Sequence, residues 1–552
     1  MINPNLQQAT GLLIGLCLLG MEASLANDNF TGDIPRFSET ARAAGIEHQY
    51  SGPWEYFVGG GVAVFDCNGD YKPDLFFAGG ENKAALYVNN TAPGAALKFQ
   101  AKTDYVTAPQ ISVTGAYPLD IDNDGHLDLV VLRVGKNRLL RGRGDCTFDH
   151  KFAPFTLPSD GSWTTAFSAS FEKDRPHPTL VFGNYVDRIA PGSPWGTCDD
   201  HHLYRPVADR SSTALYGDYI ALSPGHCALS MLFTDWNRSG RPSLRVTNDR
   251  HYHRGGEEQL WHFDAGTLPR LYSRRDGWQK VVIWGMGIAS ADLNADGFPE
   301  YALTSMGDTK LQQLELDSFE ENGWPQYRDI AYENSATAHR PYTGEDLKPS
   351  TGWHAEFDDV NNDGLHDLFI AKGNVEQMPD FARVDPDNLL LGKHQGGFYE
   401  AGEPAGIALA TRGRGAAVVD LNLDGLLDIV VVNREHNVSV FQNKGAIYKD
   451  RTRATGNWLQ IRLQQHGINR NAIGATLAIK SGNTTRMRTI EVGGGHASGE
   501  SGFIHVGLGV AERASIRVKW PDGQWSAAYR AFANNFLFIN KNSSQPGYWY
   551  PQ

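Results

Sequence analysis

Asp120-Ile121-Asp122-Asn123-Asp124-Gly125-His126-Leu127-Asp128 runs directly into the apolar stretch Leu129-Val130-Val131. Side-chain oxygens at the first, third, fifth and ninth places, with Gly at the sixth, make a loop that aims several hard donors at one point. A strand follows rather than a helix, and no Glu stands at the twelfth place, so this is a strand-loop-strand unit and not an EF-hand.

The unit recurs along the chain. Beside Asp120, Asp122, Asp124 and Asp128 stand Asp66, Asn68, Asp70 and Asp74, then Asp292, Asn294, Asp296 and Glu300. Two further copies hold Asp359, Asn361, Asp363 and Asp367, and Asp420, Asn422, Asp424 and Asp428. Degenerate copies begin at Asp235, where Ser243 takes the closing place, and near Phe171-Glu172-Lys173-Asp174. Seven units at a spacing of roughly 50 to 67 residues fit one four-stranded blade each. The expected fold is all-β, a seven-bladed β-propeller, because closing the ring leaves no exposed sheet edge.

One Asp/Asn/Gly loop reads equally well as a turn without metal, since those residues favour turns on their own. Five copies at fixed internal spacing point to calcium, which takes six to eight oxygens. The five loops hold 16 carboxylates, so about five calcium ions are expected to offset their mutual repulsion. Tyr71 stands where the other loops have Gly, which marks the first as the weakest site.

After the last repeat, Leu459-Ile461-Leu463 and Ile516-Val518-Trp520 alternate with polar residues, the pattern of a separate small β-sandwich or barrel. The expected organisation is a leader over 1–26, the propeller over 27–445, the β domain over 446–541 and a poorly ordered tail over 542–552. The leader rests on the apolar run Gly11 to Met21 followed by Ser24-Leu25-Ala26, a small-x-small cleavage pattern, and it implies export to the periplasm or beyond. No later segment is apolar for long enough to span a membrane as a helix. Cys67, Cys146, Cys198 and Cys227 remain in the mature chain, an even number suited to an oxidising compartment. Pairing Cys198 with Cys227 closes a short loop, and Cys67 with Cys146 would staple neighbouring repeats; four free thiols are the alternative.

Charge divides the chain. Residues 27–445 carry 37 basic and 57 acidic side chains, and residues 446–541 carry 13 and 5. The acidic propeller disfavours nucleic acid, whose binding rests on phosphate neutralisation. The basic module is expected to dock on its acidic neighbour through Arg462, Arg470, Arg486 and Arg488, or to meet an anionic glycan.

All the acidic loops lie between the first two strands of a blade, which leaves the opposite face for a ligand. Trp284, Trp353, His354, Arg412 and Arg414 enter that face, and Arg250, His251 and His253 leave it. Aromatic, cationic and imidazole groups at a channel mouth suit a carbohydrate or another anionic ligand, extracellular or periplasmic, with a protein partner as the other option. Phosphate loops, nucleophile elbows, HExxH and paired CxxC motifs are absent from the sequence, which favours a binding or adhesion module. The alternative is a carbohydrate lyase or dehydratase, or a biosynthetic accessory enzyme, using the same face.

The repeats resemble the FG-GAP/VCBS repeats of integrin α-chain propellers and of secreted bacterial proteins. Gly285-Met286-Gly287-Ile288-Ala289, Gly352-Trp353-His354-Ala355-Glu356-Phe357 and Arg412-Gly413-Arg414-Gly415-Ala416-Ala417 are similar to the cartilage acidic protein family. Asn469-Arg470-Asn471-Ala472-Ile473-Gly474-Ala475, His505-Val506-Gly507-Leu508-Gly509 and Trp520-Pro521-Asp522-Gly523 resemble the ASPIC/UnbV domain that follows the propeller in that family. The resemblance implies a secreted calcium-binding protein with matrix or adhesion roles in animal members, and it names no reaction.

Overall fold

The computed structural model describes residues 32–158, 161–173, 175–207, 214–249, 255–264, 266–337, 351–375, 385–446 and 456–552. The expected leader, the joining segment 447–455, and Arg250, His251 and His253 lie outside the described residues.

Each unit folds as the alternation predicts: an inner strand buried on both faces, the acidic loop, a second buried strand, then two shorter and more exposed strands. The second blade shows the plan, with antiparallel strands Val113–Leu119, Asp128–Arg133, Arg138–Gly142 and Phe148–Asp149 in that spatial order. Among the described residues seven such sheets form, and the inner strands of successive blades pack on one another around a centre. The last blade takes its outer strand from the start of the chain, Pro35–Glu39 pairing antiparallel with Ser439–Ala446, so the ring is closed by its own ends. Apolar side chains fill the wedges between blades, as with Leu75, Val131, Leu140 and Val430.

Both disulfides staple neighbouring blades: Cys67–Cys146 joins the first to the second and Cys198–Cys227 the third to the fourth. The C-terminal domain is two four-stranded sheets packed on Leu459, Ile461, Leu477, Ile516 and Leu537. One sheet orders Ile504–Gly509, Asn457–Gln464, Asn535–Asn540 and Gly547–Trp549; the other orders Thr484–Thr489, Thr476–Ser481, Arg513–Lys519 and Tyr529–Phe532. The tail differs from expectation. Gly547–Trp549 is a strand, because Trp549 packs against Phe503 and Phe536 and its backbone pairs with Phe536–Phe538.

Candidate functional site

The five intact loops share one backbone path. The fourth and sixth places are left-handed throughout: Asn123 and Gly125, Ala295 and Gly297, Asn362 and Gly364, Leu423 and Gly425. That path wraps the loop around its first carboxylate, which accepts the sixth amide: Gly125 N–H to Asp120 Oδ2 at 3.1 Å, Gly364 N–H to Asp359 Oδ2 at 2.7 Å. The fifth carboxylate accepts the seventh amide, as His126 N–H to Asp124 Oδ1 at 2.8 Å and Leu426 N–H to Asp424 Oδ1 at 2.9 Å.

The closing acid does more than close the loop. Asp128 accepts Ile121 N–H at 2.8 Å on one oxygen and Gly142 N–H from the third strand at 2.8 Å on the other. Asp74, Asp367 and Asp428 repeat this double acceptance, so the ninth residue ties loop and third strand together. Burial, with neighbouring carboxylates adding, pushes Asp74 and Asp420 up to about 8 and Asp120 up to about 6. Asp120 Oδ1 and Asn422 Oδ1 are buried with no hydrogen-bond partner among the described residues. Negative charge and unmet acceptors therefore converge in loops built wholly of oxygen donors, the chemistry that a hard cation satisfies.

The C-terminal domain sits on this loop face. Met487 N–H donates to Asp292 Oδ2 at 2.9 Å, Asn469 N–H to Asn123 Oδ1 at 2.7 Å, and His505 Nε2 lies 2.6 Å from Asn362 Oδ1. Three of the four arginines expected at the contact make it directly: Arg470 donates to Asn123 O at 3.0 Å, Arg488 pairs with Asp358 at 3.2 Å, and Arg462 covers the Tyr71 ring at 5.3 Å. Arg486 acts at longer range: burial raises Asp363 above the usual carboxylate range, and the Arg486 charge offsets a small part of that rise.

The same domain also fills the channel. Residues 490–503 enter the centre of the ring and bond to the inner strands. Ser168 Oγ donates to Val492 O at 2.6 Å, Gly494 N–H to Met231 O at 2.7 Å, Gly495 N–H to Ile288 O at 2.6 Å and Ala116 N–H to Ala497 O at 3.2 Å. Gly499–Ser501 then adds a parallel strand to Val62–Phe65. Glycines in the inner strands make room: a Cβ on Gly61 or Gly115 would stand 1.7 or 2.3 Å from Ala497 O.

Two neutral imidazoles lock this plug. His496 Nε2 accepts Gly59 N–H at 3.0 Å, which leaves its Nδ1–H to donate to Leu229 O at 3.1 Å. His354 Nδ1 accepts His496 N–H at 3.1 Å, so its Nε2–H faces Glu356 at 3.2 Å. Burial lowers both to about 3, and Arg414 adds to the effect at His496. Because the folded values lie below the unfolded value of about 6.5, their stabilisation is complete above that pH and is lost as pH falls towards 3. Melting temperature is expected to fall through this window, and more shallowly in His496→Asn; superimposable slopes would rule out the assignment.

A family model described as an FG-GAP-like repeat matches residues 66–131 and 359–431, and one described as ASPIC and UnbV matches 465–546. Cartilage acidic protein 1 from Xenopus tropicalis is 27% identical over 255 residues, 45% of this chain and 35% of the relative. The chain matches the cartilage acidic protein-like family. The Mus musculus protein of the same name is 26% identical over 246 residues, 44% of this chain and 34% of its own length. The chain thus spans about a third of the length of the curated relatives it matches. Among solved structures, BBS1N in complex with ARL6DN gives a TM-score of 0.41 at 10% identity over 74% of this chain and 95% of that one. The Dos1 propeller gives 0.32 at 10% over 72% and 97%.

The FG-GAP-like loops that depart from the pattern have local explanations. Tyr71 is left-handed at φ 66°, and its half-buried ring packs against Phe538 and Trp549 of the C-terminal domain at 5.1 and 5.2 Å. The copy at Asp235 keeps the loop path, with Arg238 and Gly240 left-handed, and Lys519 Nζ reaches Arg238 O at 3.3 Å. In the copy at Glu172, Arg205 Nε donates to Glu172 Oε1 at 2.6 Å. The chain's own cations stand at both eroded loops.

The residues expected to line an open mouth are mostly inside the protein. Arg414 is buried, donating to Phe57 O at 2.7 Å and Asn374 O at 3.0 Å, and stacks 4.2 Å from the buried Trp353 ring. Trp353 Nε1 donates to Gly373 O at 2.6 Å, His354 faces the plug, and Arg412 pairs with Glu435 at 2.9 Å. Trp284 is half-buried against the neighbouring blade, bridging to Asp249. Trp353, His354 and Arg414 therefore join blades and hold the plug, their side chains buried between the inner strands and committed to partners within the protein. The sequence missed His496, whose Gly-rich surroundings carry no periodicity.

Proposed function

We propose that this chain is an exported, calcium-binding propeller that acts as a binding module. The observation that carries the calcium reading is the pair of unmet buried acceptors, Asp120 Oδ1 and Asn422 Oδ1, in loops whose donors are all oxygen. Asp120, Asp122 and Asp124, with the equivalent residues of the other four loops, would hold the ions. Asp74, Asp128, Glu300, Asp367 and Asp428 would complete the sites while anchoring the backbone. Bound calcium supplies positive charge and cross-linking at each blade hairpin. The two disulfides support an oxidising compartment, and among the described residues no helix is long and apolar enough to cross a membrane.

Titration of calcium into chelator-stripped protein by calorimetry tests this. The expected result is saturable uptake of about five ions, with magnesium far weaker because it demands tighter octahedral geometry. Absence of calcium uptake by correctly folded protein would overturn the reading.

A further inference from the structure

The sheet of the C-terminal domain formed by Thr484–Thr489, Thr476–Ser481, Arg513–Lys519 and Tyr529–Phe532 has one face in the domain core, through Leu477, Ile479, Ile516 and Ala531. Its other face carries Lys480, Arg513, Arg517 and Arg530, all exposed. Strand alternation places Thr476, Ala478, Ser515, Lys519 and Phe532 beside them, and no carboxylate. Among the described residues none of the four cations has an acidic partner. Two exposed rings complete the surface: Arg513 stacks 5.1 Å from Phe532, and Arg517 4.9 Å from Trp525, the rings being 57% and 41% exposed.

We infer that this face binds a linear acidic polysaccharide, one bearing sulfate or uronate groups along its length. The inference rests on the reading of the chain as an exported binding module and gives that module its ligand surface. Arg513 and Arg517 lie four residues apart on one strand, about 14 Å at the usual rise, and Lys480 and Arg530 flank Ser515 on the two neighbouring strands, about 10 Å apart. Cations spread over such an area on a rigid sheet do not converge on one small anion; they match charge repeated along an extended chain. The stacked rings hold the guanidinium groups and offer apolar faces to sugar rings. The oxidising compartment that the disulfides fit makes polysaccharide, not nucleic acid, the polyanion at hand.

The test uses the full-length, calcium-loaded protein over immobilised heparin, with neutral dextran and duplex DNA surfaces alongside. Heparin should bind, more weakly as salt rises, and dextran should not. Arg513→Ser/Arg517→Ser and Lys480→Ser/Arg530→Ser should each lose at least tenfold in affinity with an unchanged melting temperature. Arg274→Ser/Arg275→Ser, which removes the same charge from an exposed site on the propeller, should retain binding. No heparin binding, binding kept by both sheet variants, or DNA bound as tightly as heparin would overturn the inference. Calcium calorimetry on the same samples separates the two readings: heparin binding lost in the sheet variants of a protein that takes up no calcium upholds the surface and refutes the calcium module.

Discussion

Stripping calcium with excess chelator is expected to lower the apparent melting temperature by about 10 °C or more. An ion held at a hundred times its dissociation constant stabilises the native state by about 2.7 kcal/mol, and five such sites together give over ten. In a chain of 552 residues each kcal/mol moves the midpoint by roughly one degree. The loss should also cross the domain boundary. Met487, Asn469 and His505 bond to the loops themselves, so amides of residues 457–546 should exchange faster together with those of the propeller hairpins. A scan unchanged by the chelator, on protein shown by elemental analysis to be metal-free, would refute the calcium sites.

Gly61→Val should expel the plug. Its Cβ would overlap the Ala497 carbonyl, which is backbone and has no alternative rotamer, so strand or plug must move. Overpacking of this kind costs about 3 kcal/mol or more. Hydrogen exchange should then rise sharply over residues 490–503, where the bonds to Met231, Ile288 and Ala116 are lost. Gly502→Ala is the matched control: nothing lies within 4 Å of that position, and its stability and exchange should stay at the parent values. Protection of the plug in Gly61→Val would show that the channel accommodates it differently.

The blades were legible because their information is local. Period-two apolar strands on either side of an Asp/Asn/Gly loop mark a hairpin without reference to anything distant, and repetition supplied the ring. Charge made the docking arginines legible too, since Arg462, Arg470 and Arg488 are basic residues opposite acidic loops. The channel was not legible for the opposite reason. Glu491-Val492-Gly493-Gly494-Gly495-His496 reads as a flexible loop, and its partners are backbone groups in strands hundreds of residues earlier. The clue lay in what the inner strands lack: Gly61, Gly115 and Gly415 sit where side chains would have met the plug. Trp353, His354 and Arg414 were misplaced on the same account. Entry segments of an open propeller face solvent, and those of a filled one become its core.

The strand Pro35–Glu39 finds its neighbour Ser439–Ala446 only at the far end of the propeller. A ribosome adding 5–20 residues per second needs on the order of half a minute to make the intervening chain. For all of that time the nascent propeller has an open edge, and the residues that stop its channel have not yet been synthesised. The molecule is thus finished in a fixed order, ring before stopper, and a message truncated after the last blade would yield a hollow protein with its innermost glycines exposed to water.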